Sequence, residues 1–166
     1  MLVCNSYDSY TLEEDGRLEV QITQEYSELN LSNPPSITRV ESTIEALELI
    51  GAGEKFDLVI TMYNVGQMDV YTFSHRMKQL CPTTPVVLLT NFSKEIYNQI
   101  EKADTSSLDY MFCWNNSTDL IIAIIKLIED SMNADHDILE FGVQTILLVE
   151  DSVRYYSTYL PAIYKL

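Results

Sequence analysis

Three cysteines, two histidines and a scatter of carboxylates and hydroxyls are the groups in these 166 residues from which chemistry could be built. Cys4, Cys81 and Cys113 are odd in number and far apart, with no C-x-x-C pair. Neither a disulfide framework nor a zinc site is expected, and a reducing cytoplasm fits best. His75 falls on a helical face, and His136 sits between Asp135 and Asp137 in a polar stretch that reads as a linker. Both read as solvated or packed histidines. No G-x-S-x-G elbow, H-E-x-x-H or glycine-rich phosphate loop is present, so hydrolytic and metal enzymes rank low. Two segments keep some promise. Asn5-Ser6-Tyr7-Asp8-Ser9-Tyr10-Thr11 is rich in hydroxyls and follows an apolar start, the place where α/β folds bind phosphate. It lacks glycine, and Glu13, Glu14 and Asp15 after it would repel an anion. Glu150 and Asp151 close the apolar run Ile146-Leu147-Leu148-Val149, and α/β sites lie at such carboxyl ends of strands.

Composition narrows the classes further. With 46% hydrophobic and 21% charged residues the chain can bury a core. Its 25 acidic against 10 basic residues give a net charge of -15, which repels a phosphate backbone, so no nucleic acid partner is expected. Residues 1–54 hold eleven of the acids and only Arg17 and Arg39 as basic groups, which reads as a solvated face. The longest apolar candidate, residues 120–128, is interrupted by Lys126 and falls short of the ~18 residues of a membrane helix. The start shows no basic-then-apolar order of a signal peptide. No membrane association is expected, and the protein reads as cytoplasmic.

Short β-branched runs alternate with helical patterns, which predicts an α/β fold on a five-stranded parallel sheet, doubly wound. The expected strands are residues 1–4, 36–40, 57–62, 85–90 and 108–112. Leu58-Val59-Ile60 and Val86-Val87-Leu88-Leu89 are apolar on both faces, as strands covered on two sides must be. Ser42 with Glu45 forms a capping-box pattern, and Gly51 is placed to stop that helix. Asp69 can cap a helix that Pro82 closes; Ser93 can start another; Ser117 or Thr118 precedes a last one running to about Met132. In the first connection Leu18, Ile22, Tyr26 and Leu29 keep helical spacing, and a parallel crossover needs a helix; the alternative is a hairpin at Asp15-Gly16. With the helix, residues 7–16 would form a long acidic loop between the first strand and the first helix.

The helix from Leu120 is apolar over more than one stripe, so part of it is expected either to be deeply buried or to meet a partner. A charge at Ile121 or Ile125 separates the two: a folded monomer would mark an interface, unfolding a core. Beyond it, residues 133–143 read as a linker, residues 145–149 as a buried strand, and residues 153–166 as a helix with Tyr156, Leu160 and Ile163 on one face. One strand and one helix bury too little to stand alone, so residues 144–166 read as the truncated start of a second domain.

The order Phe56-Asp57-Leu58-Val59-Ile60-Thr61-Met62, then Met68-Asp69-Val70, then Pro85-Val86-Val87-Leu88-Leu89-Thr90 resembles the receiver domain of two-component response regulators over residues 1–132. The tail Ile146-Leu147-Leu148-Val149-Glu150-Asp151-Ser152 resembles the start of a second receiver. The resemblance implies flavodoxin-like topology and a phosphoryl site: an acidic pair holding Mg²⁺, an acceptor aspartate, a hydroxyl, and a lysine followed by proline. Metal and lysine would neutralise charge on the transferring oxygens. In this sequence the acidic pair falls on Cys4 and Asn5, the acceptor on Met62, the hydroxyl on Thr90, and the lysine and proline on Cys113 and Trp114. Asp57 lies five residues before Met62, and Asp8 is the one carboxylate that could reach the pocket from the following loop. A thioether neither forms an acyl phosphate nor binds a hard cation, so residues 1–132 read as a degenerate pseudo-receiver with no metal and no cofactor. Glu150 and Asp151 match the acidic pair of the second receiver.

The expected role is therefore a protein docking or dimerisation module within a larger regulator, not an enzyme. Its partners would be a second copy or other domains of a longer chain, met through Tyr110, Trp114, Ile121 and Ile125. The alternative is a mononucleotide or flavin site in a flavodoxin-like fold, resting on the hydroxyl-rich segment after the first strand.

Overall fold

The computed structural model describes residues 1–14, 18–28, 33–91, 93–114 and 117–165. Five strands form one parallel sheet: β1 Leu2–Val3, β2 Arg39–Val40, β3 Val59–Met62, β4 Val86–Thr90 and β5 Tyr110–Cys113, in the order β2-β1-β3-β4-β5. This is the expected doubly wound, flavodoxin-like arrangement. Every residue of β3 and β4 is buried, which is why both strands are almost purely apolar. The direction of winding across the sheet reverses between β1, which leads outward to β2, and β3, which leads the other way. The loops after these two strands therefore diverge and leave a crevice at their carboxyl ends.

Helices supply the crossovers: α1 Ser6–Glu14, α2 Leu18–Glu28, α3 Thr43–Gly51, α4 Val70–Leu80, α5 Lys94–Ile100 and α6 Thr118–Phe141, with α7 Val153–Ile163 after them. Their starts are set by local chemistry. Ser42 accepts the Glu45 amide at 3.1 Å, while the Glu45 carboxylate reaches back to the Glu41 amide at 2.9 Å, one residue beyond the expected capping-box contact. Asp69 accepts the amides of Tyr71 and Thr72, and Ser93 accepts that of Ile96. α3 runs through Gly51, and the left-handed turn falls two residues later, at Gly53 with φ 98°.

Three expectations are corrected, and one choice between alternatives is decided. Residues 6–14, expected to lie largely in an acidic loop, are helical; the Asp15-Gly16 turn and Leu29 lie outside the described residues. The first crossover is the expected helix, α2, whose Leu18, Ile22 and Tyr26 are buried. α6 does not stop near Met132 but continues through the expected linker to Phe141, so His136 is helical, and Gly142 ends it at φ 63° with its amide on the Ile138 carbonyl at 3.1 Å. Residues 145–149 form no strand, and Ile146, Leu147 and Val149 face solvent.

The wide apolar surface of α6 is core. Ile121 and Ile125 are 1% and 9% exposed and Trp114 is buried, so the three offer no free interface within this chain. Two neighbours explain the width. On one side α2 is tied to α6 by the Lys126–Glu25 ion pair at 3.0 Å and by Tyr26 donating to Glu129. On the other side α7, expected to belong to a second domain, packs on α6 and β5. Tyr156 stacks on Phe112 at 5.1 Å, Leu160 is buried, Tyr164 donates to Asp130 at 2.6 Å, and Lys165 pairs with Asp119 at 2.6 Å. Lys126 is buried with its charge matched by Glu25, which is how a lysine is tolerated inside an apolar helix.

Ile121→Asp should therefore unfold the chain and not release a folded monomer. An unpaired carboxylate at that position should cost about 4 kcal/mol or more, a large part of a domain's stability. Urea unfolding followed by circular dichroism checks this; a folded variant with an unchanged midpoint would show that the residue is not core.

Candidate functional site

The carboxyl ends of β1, β3, β4 and β5 carry the residues that the receiver resemblance singles out. The pairings Val3 with Thr61, Met62 with Leu89 and Thr90 with Cys113 place Cys4 level with Met62, and Thr90 level with Cys113 one step further along. Sheet register thus brings Cys4, Asn5, Met62, Thr90 and Cys113 to one end of the molecule. Trp114 follows, with its backbone amide on the Thr90 carbonyl at 2.9 Å.

This end of the sheet is an extension of the core. Met62 is 4% exposed and Cys4 is buried beside it in the sheet. Burial pushes the Cys4 thiol up from 9.0 to about 11; nearby Arg39 opposes the rise, Asp8 and Glu41 add to it, and a hydrogen bond with Ser9 opposes it. The group is a protonated thiol at neutral pH. Asn5 is committed to α1: its Oδ1 accepts the Asp8 amide at 2.9 Å, the geometry of a helix N-cap, and its Nδ2 reaches the Asn64 carbonyl at 3.5 Å. The pattern Asn5-Ser6-Tyr7-Asp8 was the available signal for this helix. Asp8 is partly buried, and desolvation raises its carboxyl above the ordinary range against the opposing hydrogen bond from Asn5.

Thr90 is buried, and its hydroxyl has no partner among the described residues. The Cys113 amide donates to Ser157 Oγ on α7 at 2.7 Å, so backbone at the lysine position is engaged by the last helix. Sequence reasoning missed this contact, because a serine inside an amphipathic helix carries no mark of its partner. It also missed Tyr63, whose hydroxyl donates to Gln99 at 2.7 Å and ties the loop after β3 to α5.

The divalent cation implied by the receiver fold does not suit these donors. A hard cation requires several oxygens. Here the thiol holds its proton, the thioether is soft, and the Asn5 oxygen is already used, which leaves Asp8. Among the described residues no three His, Cys, Asp or Glu side chains gather as a metal group. The other carboxylates serve elsewhere. Asp57 precedes β3 at its amino end, and Asp69 caps α4, its carboxyl held low by the amides of Thr72 and Tyr71. Glu150 accepts the Ser152 amide at 2.9 Å and Asp151 is exposed, both in an irregular segment and not at the end of a strand.

The remaining sequence candidates lie apart. His75 is on α4 within 3.1 Å of Gln79 and 3.4 Å of Ser107, and His136 is exposed on α6 near Asp137. Tyr110 is half-buried with its ring 6.3 Å from Phe112. A recess of about 440 Å³ bordered by Met1, Phe56, Leu58, Ile121 and Ile125 opens at the amino ends of the strands, away from the site. The hydroxyl-rich segment that suggested a flavin or mononucleotide site is the start of α1, not a phosphate loop, and that alternative is not favoured.

Because the folded Cys4 thiol holds its proton more tightly than the unfolded one, its contribution is fully present below pH 9 and lost as pH rises through about 11. Native protein at pH 8 should leave Cys4 unalkylated by iodoacetamide, with labelling appearing on unfolding in urea. Rapid native labelling, read by peptide mass, would contradict the burial.

No family model and no curated protein sequence match this chain. Solved structures do. The signal receiver domain of an HD domain-containing protein from Pseudomonas fluorescens Pf-5 superposes with a TM-score of 0.53 at 20% identity, covering 81% of this chain and 90% of that one. A phosphorylated cyanobacterial phytochrome response regulator gives 0.53 at 18% identity over 78% and 89% of the two chains. A streptococcal redox sensor, described as evolved from two-component response regulators, gives 0.58 at 15% identity, covering 92% of this chain and 58% of that one. At these identities the likeness is one of architecture: the chain has the five-stranded α/β fold of response regulator receiver domains.

Proposed function

We propose that this chain is a receiver-like signalling module that does not accept a phosphoryl group and works by docking proteins, a second copy included, within a larger two-component-type regulator. The observation that carries the reading is Met62. It ends β3 at the place where a receiver holds its acceptor carboxylate, and it is buried with a protonated thiol level with it. Sulfur there cannot form an acyl phosphate, and among the described residues no donor set gathers the cation that would draw charge off the transferring oxygens. Cys113 stands where a lysine would neutralise the phosphate.

What remains is shape. The parallel sheet, its capped helices and the α2–α6–α7 layer are complete without the reacting groups, as expected of a binding module. No described helix is long and apolar enough to cross a membrane, and the net charge of -15 disfavours nucleic acid. Protein surfaces are the partners left by the chemistry.

Incubation with Mg²⁺ and acetyl phosphate should leave residues 1–132 unmodified in intact-mass and peptide-mass measurements. A stoichiometric phosphoryl adduct within those residues would overturn the proposal, whichever side chain carried it.

A further inference from the structure

The seat of α7 and the segment that leads to it together point to a partner. Residues 142–152 have no regular structure, and within them Val143-Gln144-Thr145-Ile146-Leu147-Leu148-Val149 contains no charge, glycine or proline. Ile146, Leu147 and Val149 are 79%, 88% and 82% exposed. This is a strongly β-forming stretch that pairs with no strand among the described residues, a state that proteins seldom leave uncovered. At its end α7 is seated on β5 and α6. Its contacts there include the stack of Tyr156 on Phe112, the Cys113 amide on Ser157, buried Leu160, and the links from Tyr164 to Asp130 and Lys165 to Asp119.

We propose that α7 exchanges between two copies of this chain, each helix occupying the β5–α6 seat of the other, with the two 143–149 segments paired as antiparallel strands. Every contact in the seat is recreated by the identical helix of a second copy, so exchange loses none of them, and the dimer adds the strand pairing. Gly142, at φ 63°, is the point where the chain can leave α6 in a new direction. Alternation would set Val143, Thr145, Leu147 and Val149 on one face of the ribbon and Gln144, Ile146 and Leu148 on the other.

Charge favours this stretch as the contact. Two chains of net charge -15 repel each other over most of their surfaces, but the 143–149 segment is neutral, so pairing it brings no further like charges together. Added salt should therefore strengthen the dimer by screening the general repulsion. The inference deepens the docking reading by naming surface and partner; it rests on that reading's receiver fold and not on the phosphoryl pocket, so a phosphoryl adduct would defeat the one without touching the other.

The test uses the whole chain. Unlabelled and ¹⁵N-labelled protein are unfolded together, refolded, and separated by size at low and moderate salt. Each fraction is treated with a water-soluble carbodiimide, which joins the Lys165 amine to the Asp119 carboxylate that it contacts at 2.6 Å. Exchange predicts a dimer fraction that grows with protein concentration and salt, in which about half of the Asp119–Lys165 peptide pairs carry mixed isotopes. Leu147→Lys should abolish the dimer while the monomer keeps its same-isotope crosslink, showing α7 still seated. A chain that stays monomeric at all concentrations, a dimer whose crosslinks are all same-isotope, or a Leu147→Lys variant that dimerises like the parent would each overturn the proposal.

Discussion

A parallel strand covered on both faces has no room for an unpaired charge, and in this chain that constraint runs unbroken to the carboxyl end of the sheet. β3 is buried from Val59 to Met62 and β4 from Val86 to Thr90. In an α/β fold with a working site the last residue of such a strand leaves the core and meets solvent, ligand or cation. Here Met62 stays in the core and Cys4, level with it, does the same. Any cation at this corner would need a set of ligating side chains that the described residues do not gather. The chemistry of the site thus follows from where the core stops, and here it takes in Met62 and Cys4.

The same logic governs the opposite side of the molecule. Over residues 118–128 α6 is apolar around most of its circumference, a composition that allows either a large interface or several intramolecular neighbours. The fold supplies the neighbours. The sheet, α2 and α7 cover this part of α6, and polar links at the margins, Lys126 with Glu25, Tyr26 with Glu129 and Tyr164 with Asp130, set how each helix lies. Desolvation raises the hydroxyls of Tyr26 and Tyr164 well above their ordinary values, aided by the carboxylates they face, so both remain donors throughout the neutral range.

Much of this was legible from local pattern. The five strands, the caps at Ser42, Asp69 and Ser93, and the helical spacing of Leu18, Ile22 and Tyr26 are written within windows of a few residues. The alignment of Cys4, Met62 and Thr90 at one end of the sheet was legible only through the receiver resemblance, and the strand register places them so. The misses share one cause. Residues 133–137 are mostly polar yet helical, because α6 simply continues until Gly142 can turn the chain; residues 145–149 are mostly apolar yet unpaired, because no strand among the described residues stands beside them. Local pattern reports what a segment could bury, not whether a partner is present.

By itself the sequence determined which strands and caps form, and which chemical groups stand at the carboxyl ends of the strands, since these depend on residue type and short-range spacing. Only the tertiary structure decided that Ile121 and Ile125 are core, that Asn5 is spent on capping α1, and that α7 seats Ser157 against the Cys113 amide. Burial and hydrogen-bond satisfaction are properties of neighbours brought together from distant parts of the chain. A side chain's type says what it needs; the fold alone says who supplies it.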